Sequence, residues 1–276
     1  MKAEQSGAYD LLAGWLRLSD WQPGLCQRGL TIEELLRPVE CEEVQIMGSE
    51  MRNAALKVVQ TLQAQGFQAV FAGGCVRDEL LKHSPKDYDV ATSAVPDEVL
   101  TMFPEAITVG AHFGVVLVKV DGHPIEIATF RTDGSYSDGR KPDSVTFATI
   151  EEDASRRDFT INGIFYDPVS EKLLDFVDGQ RDLTAGVLRS IGDPLARFEE
   201  DHLRLLRAIR FATRFSFEIA TATWDAIKQK ASSISRISPE RIRDELDRIW
   251  LHPKRVYGFD LLVDSGLMRA ILPEIL

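Results

Sequence analysis

The chain has 276 residues, enough for one large domain or two smaller ones. Apolar side chains make up 44% and charged ones 27%, the balance of a globular protein, and no apolar run approaches the ~20 residues that span a bilayer. A net charge of −11 argues against wide, non-specific RNA binding by this chain alone, since phosphate contacts need Lys and Arg, but it leaves room for a local basic groove.

Residues 1–50 hold nine acidic and four basic side chains and no clear motif, and are expected to be an appendage of unassigned role. Lys2 is followed by no continuous apolar core, so no secretory signal is expected. Cys26, Cys41 and Cys75 form neither a paired framework nor a metal-ligand cluster, which points to a reducing cytoplasm. The five histidines are scattered, which argues against a zinc site.

From Met51 the texture changes. Ala54, Leu56, Val58, Val59 and Leu62 predict a helix ending at Gly66. Phe67–Ala72 is a strand-length apolar run ending at Gly73-Gly74, and Val76–Leu81 reads as a helix start. A strand is expected over Asp87–Ala91 and a helix over Pro96–Phe103, capped by Thr92 or Ser93. Val115–Val120 and Ile125–Phe130 flank Asp121-Gly122, a strong hairpin signal. The polar stretch Arg131–Pro142 reads as a mobile loop, Val145–Phe147 as a strand, and Phe165–Phe176 as two short strands around Asp167-Pro168. After Gly179 the pattern turns helical, over Leu195–Phe215, Ala222–Lys230, Pro239–Trp250 and Val256–Ser265. The chain thus divides near residue 185 into an α/β half and an all-helical half.

Asp87-Tyr88-Asp89 carries the most chemistry. Residues two apart on a strand share a face, so both carboxylates can aim at one spot, where they repel unless a cation lies between them. Glu126, on the second strand of that hairpin, can supply a third carboxylate. Such a set suits two-metal phosphoryl transfer, in which one cation acidifies an attacking hydroxyl and the other neutralises the triphosphate. Mg²⁺ takes oxygen ligands and keeps several waters, so two or three carboxylates suffice. Gly73-Gly74 lets backbone N–H groups approach anionic oxygens, with Arg77 adding a charged fork. In RRDFTIN, Arg156 and Arg157 can clamp phosphate or ribose, with Asp158 and Asn162 orienting them. Taken singly, each feature has a plain alternative: a solvated acidic turn, an edge-strand acid, a tight glycine turn, surface charge.

The ordered set GGCVRD, KDYDVAT, IEIATFR, RRDFTING, FEEDHLRLLRAIRF and SPERIRDEL resembles the class II tRNA nucleotidyltransferase and poly(A) polymerase family over residues 55–276. The resemblance implies an α+β fold: a polymerase-β-like nucleotidyltransferase head with a small mixed sheet over 51–185, then an all-helical neck over 186–276. It implies Asp87 and Asp89 as metal ligands for Mg²⁺, Glu126 as a third catalytic carboxylate, and Gly73, Gly74, Arg77, Arg157 and Asn162 as contacts to the incoming nucleotide. In Glu200-Asp201-His202-Leu203-Arg204 it implies a base selector. An Asp accepts from an exocyclic amine while an Arg donates to the neighbouring acceptor, which fits C and A and mismatches U and G. Arg207 and Arg210 continue at intervals of three, a stripe that drifts by ~60° per step along a helix, so Arg210 falls about half a turn from Asp201.

The implied activity is templateless addition of CMP and AMP to the tRNA 3′ end from CTP and ATP. A poly(A) polymerase, an enzyme adding only A or only C, and a non-catalytic nucleotide- or RNA-binding module are the alternatives. Family members usually continue into body and tail domains that grip tRNA, whereas this sequence stops at Ile275-Leu276, so the expectation is either a truncated core or RNA engagement that needs something else. The loop Arg131–Pro142 has full length, and in the family this loop helps the switch from C to A addition.

Overall fold

The computed structural model describes residues 41–110, 114–134 and 144–275. Most of the expected appendage over 1–50, and the loop from 135 to 143, lie outside the described residues. Residues 44–276 form one unit.

Helix α1 runs from Cys41 to Ala64 and is continuous through Met51, where the sequence changes texture. Its apolar positions Ala54, Ala55, Val58, Val59 and Leu62 are fully buried. The chain then forms β1 (Ala69–Ala72), α2 (Gly74–Leu80), β2 (Asp89–Thr92), α3 (Pro96–Met102), β3 (Ile107–Gly110), β4 (Val115–Val120) and β5 (His123–Thr129). After these come β6 (Arg131–Asp133), β7 (Val145–Phe147), α4 (Ile150–Ser155), a one-turn helix at Thr160–Asn162, β8 (Ile164–Asp167), β9 (Lys172–Asp175) and α5 (Gly179–Ala185).

Seven strands make one mixed sheet in the order β3-β4-β5-β2-β1-β8-β9. The pair β2/β5 is parallel, while β1 pairs antiparallel with both β2 and β8. Asp121 and Gly122 turn between β4 and β5 at φ 50 and 86, as a tight hairpin requires. Register decides the two faces. Phe71, Val90, Ile125 and Ile127 pack into the main core, which also takes in α1. Val70, Ala72, Ala91 and Phe165 belong to a smaller cluster capped by Ile150 and Ala154 of α4. Asp89 and Glu126 lie on that second face, among the small side chains of Ala72, Ala91 and Ala128.

The helical part comprises β10 (Val187–Leu188), α6 (Pro194–Glu200), α7 (Leu203–Phe215), β11 (Glu218–Ile219), α8 (Thr221–Lys230), a 3-10 segment at Ala231–Arg236, α9 (Pro239–Trp250), α10 (Arg255–Asp264) and α11 (Leu267–Ile271). The two-residue strands β10 and β11 pair in parallel and have no counterpart in the sequence reading.

Three expectations are corrected. The helix over Leu195–Phe215 is two helices, because Asp201 leaves helical geometry (φ −141, ψ 104) and its Oδ1 accepts from the Leu203 N–H, capping α7. Strand β2 starts at Asp89 rather than Asp87, because its partner β1 ends at Ala72, after which Gly73 (φ 70) turns the chain into α2. Helix α3 is capped at Val95, whose N–H donates to the Glu98 carboxylate at 2.8 Å, while the Thr92 hydroxyl accepts from the Ala94 N–H instead.

Candidate active site

Strand β2 stands between β1 and β5, and its first residue is in register with Ala72 on one side and Glu126 on the other. Adjacent strands lie about 4.8 Å apart, so Asp89 and Glu126 are neighbours on one face. Asp87 precedes the strand and is exposed, while Tyr88 between them is buried. The Tyr88 hydroxyl donates to Glu79 Oε1 at 2.6 Å and its ring packs edge-on against Phe71, so it anchors the backbone that carries both aspartates. Burial, then Glu126, then Asp87 push the Asp89 carboxyl up to about 7, with Arg157 opposing. A carboxylate this strongly disfavoured as an anion gains when a cation arrives.

No group of three His, Cys, Asp or Glu among the described residues is close enough to enclose a metal. The donor set still fits Mg²⁺, which completes its shell with water and needs few protein ligands. Asp87 and Asp89 are the residues that could hold it, with Glu126 alongside.

Arg157 belongs to the same face. Its guanidinium lies over the Phe165 ring, 4.7 Å from the centroid, and a Cβ on Gly73 would meet its Nη1 at 3.0 Å. Asp153 holds Arg157 through Nη2 at 2.9 Å, and holds the neighbouring Arg156 at 2.6 Å. The two arginines follow the last turn of α4, Arg156 capping its C-terminal end. Burial raises the Asp153 carboxyl, but Arg157 and then Arg156 outweigh it and leave it below the ordinary range. Asp153 was not singled out in the sequence, although its i+3 and i+4 spacing to two arginines on a short helix was a readable signal.

Asn162, Arg77 and Arg207 meet at the seam between the sheet region and α7. Asp158 accepts from Asn162 Nδ2 at 2.9 Å and from Arg207 Nε and Nη2 at 2.9 and 2.5 Å. Burial opposes the charged form of Asp158, but Arg207 and Asn162 more than offset this and hold its carboxyl well below the usual range. Arg77 donates to Asn162 Oδ1 and to Asp78, and its guanidinium lies over the Phe211 and Phe215 rings of α7. Asp78 also accepts from Arg214 at 2.7 Å. Arg77 is only 3% exposed, so its guanidinium is committed to this seam; Gly74, which opens α2, lies beside it, a Cβ there meeting Arg77 Nη2 at 3.7 Å.

On the helical side, Arg204 Nη1 donates to Glu200 Oε2 at 2.6 Å and to the Arg197 carbonyl at 2.8 Å. Its Nε and Nη2 have no hydrogen-bond partner among the described residues. Asp201 Oδ2 lies 3.3 Å from Arg241 Nη2 on α9. Arg210 pairs with the buried Glu245 at 2.5 Å and lies 4.0 Å above Phe211, which ties α7 to α9. A polar cleft of about 380 Å³ lined by Thr132, Asp133, Glu151, Arg156, Arg197 and Glu200 opens beside these groups.

A mixed sheet presenting acidic residues on one face, joined to a helical segment whose Arg204 keeps two nitrogens unspent, defines a polymerase-β-like nucleotidyltransferase head with a helical neck. The family model described as "Poly A polymerase head domain" matches residues 69–189, and that described as "Probable RNA and SrmB- binding site of polymerase A" matches 216–276. A CCA-adding enzyme of Geobacillus sp. (strain WCH70) is 43% identical over 214 residues, covering 77% of this chain and 53% of that protein. The CCA-adding enzyme of Lactobacillus helveticus (strain DPC 4571) is 42% identical over 218 residues, covering 79% and 54%. A crystal structure of the Bacillus stearothermophilus CCA-adding enzyme in complex with CTP superposes with a TM-score of 0.72 at 38% identity, covering 78% of this chain and 52% of that one. The chain belongs to the class II tRNA nucleotidyltransferase and poly(A) polymerase family. It spans about half the length of the curated relatives it matches.

Proposed function

We propose that this chain supplies the head and neck of an enzyme that adds CMP and AMP to the 3′ end of tRNA, using CTP and ATP. The observation that carries the reading is the register Asp89↔Glu126 on parallel neighbouring strands, two residues after Asp87 and beside Arg157. Relatives named CCA-adding enzyme, one in complex with CTP and another, from Thermotoga maritima, complexed with tRNA, support it.

In this reading the primer 3′-hydroxyl attacks the α-phosphate in line and pyrophosphate leaves. Mg²⁺ bound at Asp87 and Asp89 supplies charge neutralisation and makes the attacking hydroxyl more acidic. Glu126 adds negative charge that favours cation binding at Asp89. Arg157, held by Asp153 beside the Gly73 backbone, offers its fork to the triphosphate. Asp201 and the free donors of Arg204 read the amine-plus-acceptor edge shared by C and A, each good pairing being worth about 1–3 kcal/mol. Arg77, Asn162, Arg207 and Arg210 support the site through the seam and the α7–α9 contact. Residues 51–185 then act as the catalytic head, 186–276 as the neck, and a reducing cytoplasm suits the buried free thiol of Cys75.

Incubating a tRNA that lacks its 3′ CCA with Mg²⁺ and with CTP and ATP, separately and together, then sequencing the ends, tests the reading. Two C residues followed by one A are expected, and no product from Asp87→Ala or Asp89→Ala. A long A ladder would favour a poly(A) polymerase, and turnover retained in both variants would sink the metal-site assignment.

A further inference from the structure

Arg197, on α6, is bonded both to the corner that carries Arg157 and to the carboxylate that holds Arg204. Its Nη2 donates to the carbonyl of Arg157 at 2.7 Å and also to that of Arg156, where α4 ends. Its Nη1 donates to Glu200 Oε2 at 2.5 Å, the oxygen that also takes Arg204 Nη1 at 2.6 Å. Its own backbone carbonyl accepts from Arg204. The side chain is 12% exposed, so these bonds are largely shielded from water. A guanidinium at the last carbonyls of a helix is favourable both as a donor and as a cation.

We infer that Arg197 is a positioning residue that couples nucleotide selection to triphosphate placement, by fixing Arg204 and Arg157 relative to each other. The inference rests on the function proposed above. Glu200 is shared between two guanidinium groups. Without Arg197 it pairs with Arg204 alone, free to draw that fork off the base edge. At the same time the carbonyls of Arg156 and Arg157 lose their anchor to the neck, and the corner that aims Arg157 at the Gly73 loop is released. Both ends of the nucleotide lose alignment together.

The test compares wild type, Arg197→Met, Arg197→Gln and Arg197→Lys on a tRNA lacking CCA, with KM and kcat measured separately for CTP, ATP and UTP. Arg197→Met should raise KM for CTP and ATP and cut the preference for CTP over UTP, each about tenfold, the scale of one charge-assisted hydrogen bond. Lys should restore part of the preference, because an ammonium reaches one carbonyl but cannot fork to Glu200 as well. Gln keeps an amide donor without the charge and stands in should Met fail to fold. A folded Met or Gln variant with wild-type KM and preference overturns the inference. So does a fall in kcat that is equal for every nucleotide, which a merely structural role would produce. Equilibrium titration of CTP and UTP into wild type and the variants separates the two claims. If wild type extends no RNA, the proposed function fails, while loss of CTP preference in the variants still supports the coupling.

Discussion

Replacing Asp158 with Ala strikes the seam at its most committed point. The carboxylate accepts from the Phe159 N–H at 2.8 Å, from Asn162, and twice from Arg207. Its removal strands a guanidinium whose side chain is 33% exposed, so water recovers part of the loss. Breaking a buried pair costs about 3–5 kcal/mol, and this exposure argues for the lower end, about 3 kcal/mol. In a domain of this size that corresponds to a fall in Tm of roughly 6–12 °C. Thermal and urea melts of Asp158→Ala, Arg207→Met and the double variant measure it, with a coupling of about 1–3 kcal/mol expected in the cycle. The folded carboxyl titrates below its unfolded value, so the stabilisation is complete above the ordinary Asp range and is lost as pH falls beneath it. A Tm change under about 2 °C, or an additive cycle, would refute the reasoning.

Asp89 behaves oppositely. Its folded carboxyl sits at about 7 against an ordinary 3.8, so the native state binds more protons and metal-free stability falls as pH rises between those values. Melts in EDTA should show that slope, Asp89→Asn should flatten it, and Mg²⁺ should raise Tm more at pH 8 than at pH 5; equal Mg²⁺ effects at both would contradict the reading. Gly73→Ala places a Cβ at φ 70 and 3.0 Å from Arg157 Nη1, so it should cost about 1–3 kcal/mol and raise KM for CTP, as read by melts and steady-state rates. Gly258→Ala would press against Thr213 Oγ1 at 2.5 Å and Ile249 Cγ2 at 2.6 Å, and should cost about 1–3 kcal/mol in a urea melt.

The hairpin β4/β5 was legible because strand alternation and Asp121-Gly122 are local signals. The register of Asp89 with Glu126 was not, because it depends on parallel pairing of strands separated by β3 and β4. The break at Asp201 was hidden by apolar periodicity that runs on through it, since Leu203 and Leu206 fall within about 80° of Leu195 on a continuous helix. The carboxylate pair and Arg157 could be picked out by residue type, whereas the fate of Arg77 could not. Its partners Phe211 and Phe215 lie more than a hundred positions away, and an arginine after two glycines reads as a phosphate ligand unless those rings are known to flank it.

The seam also bears on how this chain could be divided. Sequence texture changes near residue 185, which invites cutting there to obtain a free-standing head. Such a fragment would carry Arg77 without the Phe211 and Phe215 rings it lies against, Asp78 without Arg214, and Asp158 without Arg207. Two carboxylates that are matched across the cut, and a guanidinium that lies on rings across it, would face water or one another on a newly opened apolar surface. The visible boundary in the sequence is therefore a change of architecture inside one cooperative folding unit, and a working excision would need to carry α7 with the sheet.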